Sequence, residues 1–494
     1  MANATIYLNA PTDWNVPQSI DDDVEVGWDA TLSANADISV YSVTVFRNAV
    51  FNVNANVDVT RCCGMGSSQG LRVYEPSTLR LNSGRITSQI ALIDRASLIQ
   101  AGGSYAFGKL DLKGVGLLYG ADDQITESVA FTDGSRLTLD KDLIGLQRVA
   151  FWTNSTIELQ GHLASSEILA IGGATEIDRG VGGAFHAKDF YLGAREFVYE
   201  GPDLVTGIAY IDSKSTFVVN QPLSLSGAHV GTGWQLAVRD GSKLIANAAL
   251  DLSRNLTVLH PGSSATINGA LKSGSVSVSQ KAQIDTYGPV DTFELEAYDA
   301  VLNTHGVVST RSIKVDSGGI YTANAPVDAN HIWVRRNSTL VTNADVDVVH
   351  SLEVGDANFR NDASQMIVKQ GLTTASGVTL NYRGWDTNFY VNYDAKLRLQ
   401  FDDVQSPGGI DWAFRWQGQH VEELKYMLGT KILAEGAPRP VEVIYDPIRF
   451  GYYTYIGYLT VPEPHAQHAI WLAVIIALAK ARSIGPMFAK VDGI

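Results

Sequence analysis

The residues best suited to chemistry are carboxylates that recur about 20 residues apart. Asp122 and Asp123 precede Asp140 and Asp142, with basic residues at Arg136 and Lys141. Paired carboxylates, or a carboxylate with a basic partner, serve as general acid and base in glycan hydrolases and lyases. Four acids in such a stretch are also typical of a solvated loop face. We favour that interpretation and assign no catalytic residue.

Metal and cofactor motifs are weak. Asp21-Asp22-Asp23 offers oxygen ligands for calcium, but it lacks the glycine and the alternating ligands of a dedicated loop, so a solvated turn is favoured. The 10 histidines are scattered, without His-x-His or His-Glu-x-x-His. Gly180-Val181-Gly182-Gly183 precedes no convincing helix and indicates a turn, not a phosphate cradle. The sequence therefore predicts neither a metal nor a cofactor.

Composition excludes other classes. A formal charge of -15 in 494 residues opposes binding to phosphate backbones, so no nucleic-acid partner is expected. The two cysteines, Cys62 and Cys63, are adjacent, which excludes a disulfide framework and a four-cysteine zinc site. A hydrophobic share of 45% argues against disorder. The chain folds by packing.

An internal repeat indicates what that packing is. Its unit is a turn-type residue, a small residue, a polar residue and an apolar anchor, as in Gly134-Ser135-Arg136-Leu137 and Asn154-Ser155-Thr156-Ile157. Through the middle of the chain the anchors recur every 19 or 20 residues: Leu79, Leu98, Leu117, Leu137, Ile157, Ile177, Phe197 and Phe217. Less regular steps connect the others: Leu32, Phe51, Leu244, Ile267, Ile284, Leu302, Ile320, Leu340, Met366, Leu380 and Leu397.

This period predicts a β-solenoid. Alternation of apolar and polar residues within each unit fits strands and does not fit a helix pair. A large β-sandwich would also alternate, but it would not hold a constant step over seven intervals. We predict an all-β, single-stranded β-solenoid (β-helix) with coils of 18–20 residues, nineteen by the anchors. The turn residue tolerates left-handed backbone angles, and the small residue fits a tight corner. The wider step between Phe51 and Leu79 marks a loop insertion that holds both cysteines.

The two ends differ from the repeat. A helix around residues 421–428 and strands over 441–445 and 452–458 predict a small α+β C-terminal cap, because a last coil leaves backbone groups unpaired. A separate ligand-binding domain is the alternative. We divide the chain into an N-terminal cap with the first strands (1–28), the solenoid (29–400), the C-terminal cap (401–460) and a tail with a hydrophobic helix (461–494).

The tail carries a motif of its own. Pro462-Glu463-Pro464 is followed by a polar spacer, an apolar run over 469–479, and then Lys480 and Arg482. This order resembles the C-terminal sorting signal of PEP-CTERM proteins, which are bacterial envelope and extracellular proteins processed by an exosortase. The resemblance implies cleavage near Pro462, Glu463 and Pro464, a tail helix held in the membrane, and Lys480 and Arg482 on the cytoplasmic side. An exosortase-like processing enzyme becomes an expected partner, and contact with the membrane is expected through the tail only.

Localisation and function follow from the repeat and the resemblance together. Residues 1–5 have neither a charged start nor an apolar core, so no N-terminal signal peptide is predicted in this chain. A buried or amphipathic C-terminal helix of a cytoplasmic protein is the alternative interpretation of the tail. We expect a non-enzymatic, exported structural or adhesive protein of the bacterial cell surface or extracellular matrix. Its partners would be polysaccharide or copies of itself. The alternative is a β-helical polysaccharide-active enzyme, either a lyase or a glycoside hydrolase.

Overall fold

The chain is a parallel β-solenoid of about 17 turns, which confirms the predicted fold class with fewer coils than nineteen. The computed structural model describes residues 5–60, 70–173, 175–179, 182–201, 203–227, 233–356, 362–369, 380–382, 389–391, 396–401, 411–448 and 452–459. The chain divides into two compact units, Met1–Thr322 and Ala323–Ile494.

The first unit is built from strands alone in its described residues. They are β1 (Thr5–Leu8), β2 (Thr12–Trp14), β3 (Gln18–Val26), β4 (Thr31–Ala34), β5 (Ile38–Val45), β6 (Val50–Val53), β7 (Val57–Val59), β8 (Leu71–Tyr74), β9 (Thr78–Leu81), β10 (Arg85–Asp94), β11 (Ser97–Gln100), β12 (Ser104–Lys113), β13 (Gly116–Tyr119), β14 (Gln124–Thr132), β15 (Arg136–Leu139), β16 (Leu143–Phe151), β17 (Thr156–Leu159), β18 (His162–Gly172), β19 (Glu176–Arg179), β20 (Ala184–Gly193), β21 (Glu196–Tyr199), β22 (Leu204–Val205), β23 (Ala209–Ile211), β24 (Thr216–Val219), β25 (Leu223–Leu225), β26 (Leu236–Val238), β27 (Lys243–Ala246), β28 (Leu250–Leu252), β29 (Asn255–Val258), β30 (Ser264–Ile267), β31 (Leu271–Ser279), β32 (Gln283–Thr286), β33 (Val290–Tyr298), β34 (Val301–Thr304), β35 (Val308–Asp316) and β36 (Ile320–Ala323), the last of which crosses the division.

Each coil consists of one short and one long strand. The long strands pair in parallel from coil to coil, as β10 with β12 and β12 with β14. The short strands stack separately, as β13, β15 and β17 do. Alternate side chains of both kinds point inward, so the core runs between the two stacks.

The anchors fill this core in register. Leu137 lies opposite Leu117 on one side and Ile157 on the other, and it is fully buried. On the long strands, the paired rings of Phe131 and Phe151 stack with their centroids 4.7 Å apart. That separation is the spacing of neighbouring strands, so like side chains pack on like.

The corner from a long to a short strand follows the predicted rule. Asp133 and Gly134 have positive φ angles of 51° and 83°, which glycine and aspartate tolerate. Ser135, the small residue that follows, is fully buried. Its hydroxyl donates to the Thr132 carbonyl (2.7 Å) and accepts from the Val115 N–H (3.3 Å) of the coil below. The corner is thereby bonded to itself and to its neighbour.

The opposite corner carries asparagine ladders, which the sequence analysis did not predict. The side-chain amide of Asn82 donates to Asn54, Asn54 donates to Asn35, and Asn35 donates to Asn15, at 2.6, 2.6 and 2.7 Å. A second ladder joins Asn268, Asn247 and Asn220 at 2.8 Å per step. An amide side chain both donates and accepts hydrogen bonds, so each asparagine can bond the equivalent asparagines of the coils before and after it.

Three predicted anchors are wrong. Leu244 pairs with Ala265, and Ile267 lies two residues further along the same strand. Ile320 is 42% exposed, whereas Tyr321 is buried. Leu380 belongs to a long strand, and Met366 pairs directly with Leu397.

The corner residues explain the first two errors. The anchor comes three residues after the last corner residue with positive φ, which is Gly262 in one coil and Gly318 in the other. This places Ala265 and Tyr321 at the anchor position. The predicted anchors, Ile267 and Ile320, are large aliphatic residues of the same two strands.

The wide step before Leu79 is an insertion inside one coil. β7 and β8 both pair with β5 and both pair with β10, so together they form a single long strand interrupted by residues 60–70. Cys62 and Cys63 lie outside the described residues.

The second unit continues the parallel pairing and then changes it. Its elements are β37 (Val327–Val334), β38 (Thr339–Thr342), β39 (Val346–Val354), β40 (Gln365–Lys369), β41 (Leu380–Tyr382), β42 (Phe389–Val391), β43 (Lys396–Gln400), β44 (Asp411–Gln417), α1 (Val421–Met427), β45 (Ile432–Glu435), β46 (Glu442–Tyr445) and β47 (Tyr453–Tyr458). β47 pairs antiparallel with β44 and with β46. The helix and the two strands expected over 421–458 are therefore present.

Truncating an anchor should destabilise the solenoid. We expect Leu137→Ala to lower the free energy of unfolding by about 3 kcal/mol, because the rigid stack collapses poorly around the cavity. Ile144→Ala removes a side chain that is 61% exposed and should change stability by less than about 1 kcal/mol. Denaturant unfolding of both variants checks this, and equal losses would contradict the assigned core.

Asp362 should make the stability of the second unit depend on pH. This buried carboxylate accepts from the backbone N–H groups of Arg336 (2.9 Å), Asn337 (2.8 Å), Asp356 (2.5 Å) and Ser364 (3.0 Å), and from the Ser364 hydroxyl. Burial alone would raise the pKa of Asp362, but these donors outweigh it and hold the pKa below its ordinary value. Its stabilisation is therefore present above the unfolded pKa of about 4 and is lost as the pH falls through the lower folded value.

The Asp362→Asn substitution tests this direction of the pH dependence of stability. We expect the variant to be less stable at neutral pH and to lose less further stability on acidification below about pH 4 than the unmodified chain. Asp328→Asn, at an exposed position on β37, is the control for the loss of one charge. Parallel acid-unfolding curves for Asp362→Asn and the unmodified chain would refute the assignment.

Candidate functional site

The carboxylates singled out in the sequence do not form an acid–base pair. Asp123 is buried, whereas Asp122 and Asp140 are exposed, and Asp142 accepts from the backbone N–H of His162 at 2.8 Å. Of their basic neighbours, Arg136 forms an ion pair with Glu158, and Lys141 donates to the Asp123 carbonyl at 2.9 Å. Each contact joins one coil to the next, so these residues are structural.

Asp123 instead marks a break in the stack of short strands. β11 and β13 belong to different sheets although they lie in consecutive coils, and we call the gap between them the first seam. Asp123 closes it by accepting from Gln100 Nε2 (3.0 Å), the Tyr105 N–H (3.2 Å) and the Gly120 N–H (2.8 Å). The Tyr105 hydroxyl donates to the Leu118 carbonyl at 3.4 Å. Burial, with Asp123 nearby, raises the pKa of Tyr105 well above its ordinary value, which keeps this donor protonated.

The same arrangement returns four coils later, between β19 and β21, which we call the second seam. Asp203 accepts from the Phe185 N–H (2.8 Å) and the Glu200 N–H (3.1 Å), as Asp123 does from its own neighbours. Arg179 donates to Asp203 Oδ2 and to the Val198 carbonyl, both at 2.6 Å. The Asp203 side chain is fully buried and that of Arg179 is 16% exposed, so this is a buried ion pair.

A cavity of about 330 Å³ opens at the second seam. Its lining combines three apolar residues, Ile177, Phe197 and Val198, with three charged ones, Arg179, Glu196 and Glu200. The Arg179 guanidinium lies 5.0 Å from the centre of the Phe197 ring, so a cation–π contact adds to its hydrogen bonds. The guanidinium is thus fixed in the cavity wall.

A short motif could have located both seams. Tyr119 precedes Asp123, and Tyr199 precedes Asp203, with the same spacing and the same place in the coil. The anchor period does not reveal the seams, because its step stays at 19 or 20 residues across both of them.

A second polar cluster lies at one corner of three consecutive coils. Arg239 donates to Asp212 Oδ2 through Nε (3.0 Å) and Nη2 (2.7 Å), and His260 Nδ1 bonds Asp240. A hydrogen bond with the Asp212 carboxyl lowers the pKa of Asp240, with burial opposing it and His260 assisting. The geometry favours a role in holding the corner.

Among the described residues, the other candidates of the sequence form no metal or phosphate site. In the described part of the chain, no three His, Cys, Asp or Glu side chains are grouped to hold a metal, and Asp23 accepts instead from the Ser42 hydroxyl. Gly182 and Gly183 lie in the turn before β20.

The tail lies outside the described residues, both its apolar run over 469–479 and the sorting residues Pro462, Glu463, Pro464, Lys480 and Arg482. Of the helical residues that the structure describes, none form a helix long and apolar enough to cross a membrane.

Known proteins provide no parallel. No protein-family model, curated protein or solved structure matches this chain. Its function is therefore argued from the fold, the side chains and the tail.

The buried ion pair of the second seam should be essential for stability. Asp203→Ala leaves the Arg179 guanidinium and two backbone N–H groups unpaired, and we expect a loss of about 3 kcal/mol. Asp178→Ala removes an exposed carboxylate of the neighbouring strand and should cost less than about 1 kcal/mol. Chemical denaturation distinguishes the two, and equal small effects would show that Asp203 does not hold the seam.

Proposed function

We propose that this chain is a non-enzymatic, exported structural or adhesive β-solenoid protein of the bacterial cell surface or extracellular matrix. The observation that carries the proposal is the use of its charged side chains. Lys113 lies between Asp94 (3.7 Å) of the coil before and Asp133 (3.6 Å) of the coil after. In the same way Lys314 bonds Glu294 and Glu296 (3.1 Å) of the preceding coil.

Such pairs join coils and do not converge on a reacting centre. Together with the asparagine ladders they make a cohesive outer surface rich in hydroxyl and amide groups, which suits contact with polysaccharide or with copies of the chain. The alternative, a β-helical polysaccharide lyase or hydrolase, requires an acid and a base with room for a sugar between them. Asp123, Asp142 and Asp203 instead accept hydrogen bonds from backbone N–H groups.

The C-terminal region completes the proposal. The antiparallel strands and α1, which buries Leu424 and Met427, support the C-terminal cap that we propose for the last coil. In the proposal, Pro462, Glu463 and Pro464 act as the sorting motif, the apolar run over 469–479 holds the tail in the membrane, and Lys480 and Arg482 are the basic stop. An exosortase-like enzyme cleaves at the motif and releases the solenoid to the surface or medium.

Fractionation of the native cells tests export. We expect the protein in the envelope or the medium, without the residues that follow Pro464, by mass spectrometry of its C-terminus. Alanine substitution of Pro462, Glu463 and Pro464 should leave the tail attached and the protein cell-associated. The matched control replaces Pro438 and Pro440, a second pair of prolines around one residue, and should be processed normally.

Intact, full-length protein confined to the cytosol would refute the sorting role. The enzymatic alternative is decided separately, by incubating the chain with acidic and neutral polysaccharides and measuring new reducing ends or unsaturated sugars. A product on any substrate would contradict the non-enzymatic proposal.

A further inference from the structure

The cavity at the second seam combines charged side chains with backbone hydrogen-bonding groups of two strand edges. Within a short strand, alternate residues direct their backbone N–H and C=O groups to opposite edges. The Glu176 N–H donates to Ser155 in the coil before, and the Arg195 and Tyr199 carbonyls accept from the coil after. Ile177 and Arg179 on one edge, and Glu196 and Val198 on the other, therefore direct their backbone groups into the seam.

These groups lack a strand to pair with. β19 and β21 share no ladder in the described residues, and the Val198 carbonyl is met by the Arg179 side chain instead. Buried or half-buried backbone groups require a partner. The seam thus presents donors and acceptors side by side in the wall of a cavity.

The first seam provides an internal comparison, because each of its residues corresponds to one in the second. Where the first seam has Gln100, Gly116 and Gly120, the second has Arg179, Glu196 and Glu200. Closing a seam therefore needs no charge at these positions. The three charged residues that distinguish the second seam are those that line the cavity.

Charge and size limit what the cavity can take. Arg179 is neutralised by Asp203, so Glu196 and Glu200 leave an excess of negative charge at the opening. Uronic acids, sulfates and phosphates would be repelled. A volume of about 330 Å³ lies at the lower end of the ~300–1,000 Å³ range of small-molecule sites, and the half-buried Ile177 and Val198 supply apolar surface for a ring.

We infer that the second-seam cavity binds a neutral saccharide unit. Sugar hydroxyls donate and accept at once, so they can satisfy the mixed backbone edges and donate to the Glu196 and Glu200 carboxylates. The apolar face of the sugar ring packs on the half-buried Ile177 and Val198 side chains. The inference rests on the proposed contact with polysaccharide and names its ligand class and its place on the fold.

Calorimetric titration of the full chain tests this site. The probes are neutral oligosaccharides of glucose, mannose, galactose and N-acetylglucosamine, with oligogalacturonate as the acidic probe. We expect at least one neutral probe to bind and oligogalacturonate not to bind. Glu196→Ala combined with Glu200→Ala should weaken that binding at least tenfold, whereas Glu176→Ala, an exposed carboxylate of β19 outside the cavity, should leave it unchanged.

Glu196 and Glu200 are both exposed, so we expect the double variant to fold. A second variant tests the cavity independently. Ile177→Phe fills the cavity from its apolar side and should also weaken binding at least tenfold. Neutral-sugar binding that survives these substitutions would overturn the cavity assignment and leave the proposed function standing. A chain that binds no neutral probe, or binds only oligogalacturonate, would overturn the inference, while its export would still be decided by fractionation.

Discussion

Parallel, in-register stacking of one coil on the next is the constraint on which the rest of this structure depends. Away from the seams, the parallel strands find their backbone partners in the neighbouring coils, about 4.8 Å away, so their side chains lie directly over their equivalents. Residues that bond or pack well with copies of themselves are therefore favoured. Asn82, Asn54, Asn35 and Asn15 do so through their amides, and the anchors do so by stacking in the core. Repeated like charge repels, and at Asp94, Lys113 and Asp133 the sign of the charge alternates from coil to coil.

The two seams show what happens where this constraint is relaxed. The long strands continue to pair across both, so the coil is preserved, but the short strands separate. Side chains then take over the bonds of the missing ladder. Asp123 and Asp203 collect backbone N–H groups, and a tyrosine in one seam and an arginine in the other reach the exposed carbonyl. The backbone left between them makes the second seam a place where a ligand can be held.

The regular stack of coils suits the proposed role. A surface or matrix protein needs a cohesive body that presents many equivalent polar groups, and a solenoid supplies one from a short repeat. A polysaccharide is itself a chain of repeated polar units, so it matches such a surface. In the proposed role, the second-seam cavity, with its excess of carboxylates, adds selectivity for uncharged sugars.

The coil could be predicted from the sequence because its cause is local. A residue that tolerates positive φ, a small residue and an inward apolar residue specify each corner wherever they occur, and the period follows. Strict use of that rule would also have placed Ala265 and Tyr321, since Gly262 and Gly318 mark their corners. The seams could not be predicted in this way, because the anchor step is the same whether the strands bond or separate. Only the tertiary structure decided that Asp123 and Asp203 are buried and that Arg179, Glu196 and Glu200 meet around one cavity. Their meeting depends on how far one coil stands from the next, a distance that no spacing along the chain encodes.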